Sequence, residues 1–178
     1  MDMKNVSAPD PEVVAQYFLR SPYREFVASE GIPVHEVYSV HCPDVELEPW
    51  KRLGGRGAYV HLTGRSDYLN AYVHEIPAGE HTNVEQHMFE KLIYVVGGRG
   101  ATSIELPSGK KHTFEWGEGA AFGIPLNAKH QHFNGSGQEP VRLAVSCNLP
   151  AVLNLFHSES FVFNNPCSFP EREGRAGH

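Results

Sequence analysis

Apolar residues recur along this chain at two different periods, and the change of period divides it. After Asp10-Pro11-Glu12, an acidic cap and a proline suited to a first helical turn, Val13, Val14, Tyr17 and Phe18 return at helical spacing. Ser21-Pro22 interrupts that run, Tyr23 to Glu30 predicts a little more helix, and Gly31 ends it. Residues 1 to 9 read as a loose tail. From Ile32 the period shortens to that of strands. Ile32 to Val45 is strand-like around Pro43, and Ala58 to Leu62 and Tyr68 to Ile76 follow, the latter alternating Leu69, Ala71, Val73 against Asn70, Tyr72, His74. Ala101 to Leu106 and His112 to Trp116 flank Pro107-Ser108-Gly109 as a hairpin. Ala120 to Ile124, Lys129 to Phe133 and Val141 to Asn148 complete the strands. Pro150 to His157 predicts a short helix, and the remainder a tail laid on the surface. Short strands punctuated by Gly and Pro argue for an all-β sandwich or barrel. The helical arm, with Tyr17, Phe18 and Phe26, needs an apolar partner, either its own barrel or a second copy of the chain.

Two stretches stand apart because ionisable residues enter the strand pattern. In PAGEHTNVEQHMFEKLIYVVGGRG, from Pro77, alternation puts Glu85 and His87 on one face with Phe89 beyond. Glu90 then begins an apolar run, with Leu92, Tyr94 and Val96 on its face. In GEGAAFGIPLNAKHQHFNG, from Gly117, His130, His132 and Asn134 alternate along a second strand. Carboxylates and imidazoles converging from neighbouring strands suit a hard or borderline divalent metal. Gly97-Gly98-Arg99-Gly100 is no phosphate loop, since it joins two strands and opens no helix.

These stretches resemble the two motifs of the cupin family. The first runs Gly, five residues, His-x-His, three or four residues, Glu, six residues, Gly; here Gly79, Glu85-x-His87, Glu90 and Gly97 follow that order, with Glu85 at the first His and two residues between His87 and Glu90. Gly119, Pro125, His130 and Asn134 resemble the second motif. Further wording (PWKRLGGRGAYV, FEWGEG, NLFH, FVFNNP) is similar to prokaryotic cupin-domain proteins of unsettled function, and to the first half of their two-cupin members. The resemblance implies a cupin jelly roll over residues 32–160, preceded by an arm over 1–31 and followed by a tail over 161–178. It also implies a homodimer, in keeping with the frequency of two-fold assemblies.

Composition narrows the function. A formal charge of −6 without a basic run argues against nucleic acid as the main partner. Apolar runs fall short of the roughly 20 residues that span a bilayer, and the N-terminus lacks the regions of a signal peptide, so a cytoplasmic setting is expected. Cys42, Cys147 and Cys167 are odd in number and widely spaced, which fits neither a disulfide frame nor a thiolate zinc site.

The expected ligands are His87, His130 and Glu90, with Glu85 as a further oxygen ligand, a general base, or a solvent-facing acid. His132 is expected to bond a ligand or substrate, or to be a core or rim histidine, and His81 is a candidate replacement nitrogen. Tyr94, Trp116 and Phe122 are expected to pack the barrel. Two His with one or two carboxylates resembles non-haem iron(II) sites. The expectation is therefore a metal-dependent enzyme, of dioxygenase type with Fe(II) favoured over Mn, Ni or Zn, acting on a small oxygenated substrate with Glu85 or His132 moving protons. The other reading is a metal-free cupin that binds small molecules or serves in assembly.

Overall fold

Ser21 accepts a hydrogen bond from Arg24 N, Pro22 occupies the first turn, and Gly31 closes the helix at φ 68°, so α1 runs Pro22–Glu30. It belongs to a computed structural model that describes residues 11–12, 20–63, 68–106 and 109–169. The expected tail over 1–9, most of the first helical run, and the last nine residues lie outside the described residues. Tyr23, Phe26 and Val27 are the buried side of α1. The described arm packs on its own chain: Tyr23 Oη lies 2.7 Å from His61 Nε2, and Phe26 stacks on Phe163 at 5.2 Å.

Among the described residues ten strands follow: β1 Val34–Val37, β2 Glu48–Pro49, β3 Arg56–Leu62, β4 Asn70–Ile76, β5 Lys91–Gly97, β6 Arg99–Glu105, β7 Lys111–Gly117, β8 Ala121–Gly123, β9 Lys129–Asn134 and β10 Val141–Cys147. One sheet has the order β1-β3-β4-β10-β5-β8, with β2 paired to β3; the other is β7-β6-β9. All pairs are antiparallel except β1 with β3. This is the expected all-β jelly roll, with its helices at the two ends of the chain.

The strand faces divide as the alternation in β4 implied. Asn70, Tyr72 and His74 are buried on one side, where Tyr72 and His74 meet Trp50 edge-on at 5.1 and 5.7 Å. On the other side Val73 joins Ala58, Val60, Val45 and Leu47 in a separate small core. Residues 42–44, expected to be strand-like, instead form a 3-10 turn, and Val45 and Leu47 after it cover that face ahead of β2. Among the described residues no helix is long and apolar enough to cross a membrane.

Two expectations need correcting. The face of β5 that carries Leu92 and Tyr94 is the exposed one, at 59% and 48%, and the buried face is Lys91, Ile93 and Val95. The alternation Glu85, His87, Phe89 simply continues to Lys91, so Tyr94 does not pack the barrel. Of the expected tail over 161–178, residues 161–169 are described, and these are tied to the barrel by backbone pairing. After α2 (Leu149–Phe156), α3 (Glu159–Val162) leads into a segment that pairs with residues 86–88. Met88 N donates to Val162 O and Asn164 N to Gln86 O, while Phe163 packs on Phe89 at 5.8 Å. Asn127, at φ 59°, donates through Nδ2 to the carbonyls of Asn165 and Cys167. Apolar Val162 and Phe163 thus find the barrel, while the polar groups around them tie down the backbone.

Candidate metal centre

The segment before β5 runs beside β9 without becoming a regular strand. Thr82 N donates to His132 O, and Glu85 and His130 exchange backbone hydrogen bonds of 2.9 and 2.8 Å. That register sets the Glu85 side chain opposite His130, and His87 follows on the same side two residues on. Ligand atoms of Glu85, His87 and His130 all lie within 4.8 Å of one another, and all three side chains are buried. His130 Nε2 is 3.7 Å from Glu85 Oε1.

Each imidazole is oriented by its backbone. His87 Nδ1 donates to Phe89 O at 2.8 Å, and His130 Nδ1 donates to Ala128 O at 3.1 Å. A carbonyl accepts only, so these bonds fix the proton on Nδ1 and leave Nε2 of both rings buried without a hydrogen-bond partner. Orphaned buried polar atoms are costly and uncommon. Two inward Nε2 atoms beside a carboxylate, each ring held through its other nitrogen, form a donor set that fits a divalent metal.

The centre also carries a cation of its own. Lys91, 2% exposed in its side chain, donates to Glu85 Oε2 at 2.7 Å. Arg52 approaches the same oxygen at 3.6 Å, is paired with Glu30 at 2.5 Å, and lies over the rings of Trp50, Phe26 and Phe163 at 5.2 to 5.5 Å. An open cleft of about 540 Å³, lined by Phe26, Glu30, Arg52, Phe163 and Asn164, reaches Arg52 from outside. Burial opposes ionisation of Glu85, but Lys91, His130 and Arg52 outweigh it and hold the carboxyl well below its usual range. Burial, reinforced by Lys91 and His130, pushes His87 well down and keeps it neutral. Lys91 is lowered by burial against the opposing pull of Glu85.

His132 sits beside the centre, its ring 5.4 Å from that of His130. Its Nδ1 is 2.7 Å from Thr102 Oγ1, which accepts a bond from Trp116 Nε1 at 2.8 Å. Burial first, then His130, pushes His132 well down. Asn134 does not reach the centre; its Nδ2 donates to the carbonyls of Ile76, Pro77 and Glu139, which fixes the turn that follows β9.

Of the expected ligands, the structure brings together Glu85, His87 and His130, and it leaves Glu90 outside. Glu90 is exposed, its backbone N held by Asn148 Oδ1 at 2.8 Å. The inward position is Lys91, with three residues between it and His87 and six between it and Gly98. Gly98 is the structurally constrained glycine: its φ is +91°, and a Cβ there would meet Val141 Cγ2 at 2.8 Å. His81 is exposed and lies near Gln131 and Thr82 O, away from the cluster. The interval of three residues and the unbroken alternation were the signals for Lys91, whereas Arg52 and Glu30 arrive from loops and α1 without any periodic signature.

No protein-family model matches the chain, and no curated protein matches it. Solved structures do share its fold. Lactobacillus farciminis oxalate decarboxylase, in a formate complex, matches with a TM-score of 0.52 at 20% identity over 62% of this chain and 32% of its own. The Schizosaccharomyces pombe Cnp3 cupin domain matches with a TM-score of 0.52 at 20% identity over 67% of this chain and 79% of its own. Peruvianin-I, a cysteine peptidase from Thevetia peruviana latex, matches with a TM-score of 0.53 at 13% identity over 62% of this chain and 71% of its own. The chain spans about a third of the length of the decarboxylase, so that likeness concerns the fold alone.

Proposed function

We propose that this chain, which has the jelly-roll fold of the cupin superfamily, holds a divalent metal ion between Glu85, His87 and His130 and acts in the cytoplasm on a small oxygenated organic substrate that chelates the ion. The single observation that carries this reading is the pair of buried, unpartnered Nε2 atoms facing a buried carboxylate. Two His and one carboxylate with open positions are the donor set of non-haem iron(II) oxygenases, which favours dioxygenase chemistry and Fe(II) over Mn, Ni or Zn. A bound iron(II) would supply Lewis acidity and one-electron chemistry toward O2 and adjacent substrate oxygens.

The chain's own residues do the rest. Lys91 holds Glu85 ionised and turned by its grip on Oε2, leaving Oε1 toward the imidazoles. His132, buried and neutral, stands beside His130 and is the group placed to take or return a proton, with Thr102 and Trp116 fixing its ring. Phe89, stacked on His87 at 3.9 Å, and Phe122, 6.0 Å from His132, exclude water around the centre.

Elemental analysis of the untagged chain tests the reading. Near-stoichiometric metal that His87→Ala and His130→Ala each abolish is the expected outcome, and it justifies oxygen-consumption screens on enols, catechols and 2-oxo acids. Absence of metal even after anaerobic loading with iron(II) overturns it. The Lys91–Glu85 pair favours a second reading in that event, because an ammonium already supplies the cation at 2.7 Å from the carboxylate: a metal-free cupin that binds small molecules or serves in assembly.

A further inference from the structure

Charge around the centre is balanced before any ion enters. Lys91 and Arg52 face Glu85 at 2.7 and 3.6 Å, and Glu30 takes the other side of Arg52 at 2.5 Å. Their side chains are 2, 27, 8 and 8% exposed for Lys91, Arg52, Glu85 and Glu30. Two cations therefore answer two carboxylates, and His87 and His130, each held through Nδ1 with Nε2 free to coordinate, add no charge as ligands. Within the ligating group Glu85 is the one carboxylate, and it is already neutralised. A divalent ion bound here leaves two uncompensated positive charges in a buried site, beside an ammonium. Such charge is expensive unless it is paired.

Resting on the metal reading above, we propose that the substrate is a chelating dianion, such as a dicarboxylate or the dianion of a 2-oxo acid enol, and that it binds together with the ion as an electrically neutral pair. Each is held weakly alone and strongly in the other's presence, so the two binding steps are thermodynamically linked. Lys91 imposes the linkage by keeping a positive charge on Glu85 Oε2, at an inward position where an acid would instead balance the metal by itself. Arg52, 3.6 Å from Glu85 and lining an open cleft, adds a second positive charge beside the same carboxylate.

The test is a cobalt(II) titration of the full chain, stripped of metal and followed by visible absorption. It is run with no added anion, with acetate and with malonate, with free cobalt corrected for its malonate complex. Malonate is expected to tighten cobalt binding by about tenfold or more, and acetate to leave it unchanged. Lys91→Met is expected to bind cobalt more tightly without an anion and to lose most of the malonate effect. Cobalt binding that is equally tight with and without malonate, or unaltered by Lys91→Met, overturns the proposal while leaving the metal site standing. No cobalt bound under any of these conditions, in either protein, overturns both. Should Lys91→Met fail to fold, the comparison of malonate with acetate on the unmodified chain decides alone.

Discussion

Glu85 is where the interior charges meet: one oxygen faces Lys91 and Arg52, the other His130. Removing one partner from a buried pair leaves the other without compensation, at a cost of about 3–5 kcal/mol. Glu85→Gln is therefore expected to lower unfolding free energy by roughly that amount, read from urea denaturation. Lys91→Met in the same background should return part of the loss, because no buried ammonium is then left unpaired, and a double-mutant cycle measures the coupling. Strict additivity of the two losses would show that the pair contributes nothing. At this scale the sequence was informative about the convergence of His87 and His130, whose ring centres lie 5.0 Å apart. It was misleading about the acid. Glu90 has the expected chemistry, yet the strand's period of two places Lys91 inward, and backbone geometry prevails over residue type.

The elements that enclose the centre come from both ends of the described chain. α1 contributes Phe26 and Glu30, and the segment after α3 contributes Phe163, whose ring meets Phe26 at 5.2 Å and Phe89 at 5.8 Å. Two backbone bonds, Met88 N to Val162 O and Asn164 N to Gln86 O, hold that segment along residues 86–88. Phe163→Ala is expected to cost about 1–3 kcal/mol and to speed hydrogen exchange at the Met88 and Asn164 amides, while the amides of β10 keep their protection. Uniform acceleration across the sheets would assign Phe163 to the global core instead. The strands and both flanking helices were legible because each carries its own period and punctuation, from Ser21-Pro22 to Gly31 and from Gly109 to Gly117. The course of residues 162–164 was not legible, since what holds them is contact with α1 and residues 86–88, far away in sequence.

The whole molecule reports its buried and half-buried histidines through acid stability. His61, His74, His87 and His132 all titrate below the ordinary 6.5, with burial the first cause in each. An unfolded chain binds protons at these groups more readily than the folded one, so stability falls as pH drops below about 6.5. Glu85 is depressed as well, from an ordinary 4.5. Its contribution is present above that value and is lost as pH falls through the folded-state pKa, so the carboxylate extends the same trend to lower pH. The slope is at most about 1.4 kcal/mol per pH unit for each group. Urea midpoints of the metal-free chain are therefore expected to decline steadily from pH 7 to pH 5, and His132→Asn should make that decline shallower by removing one of the titrating groups. A midpoint independent of pH over this range would mean that these imidazoles take up protons in the folded state as readily as in the unfolded one.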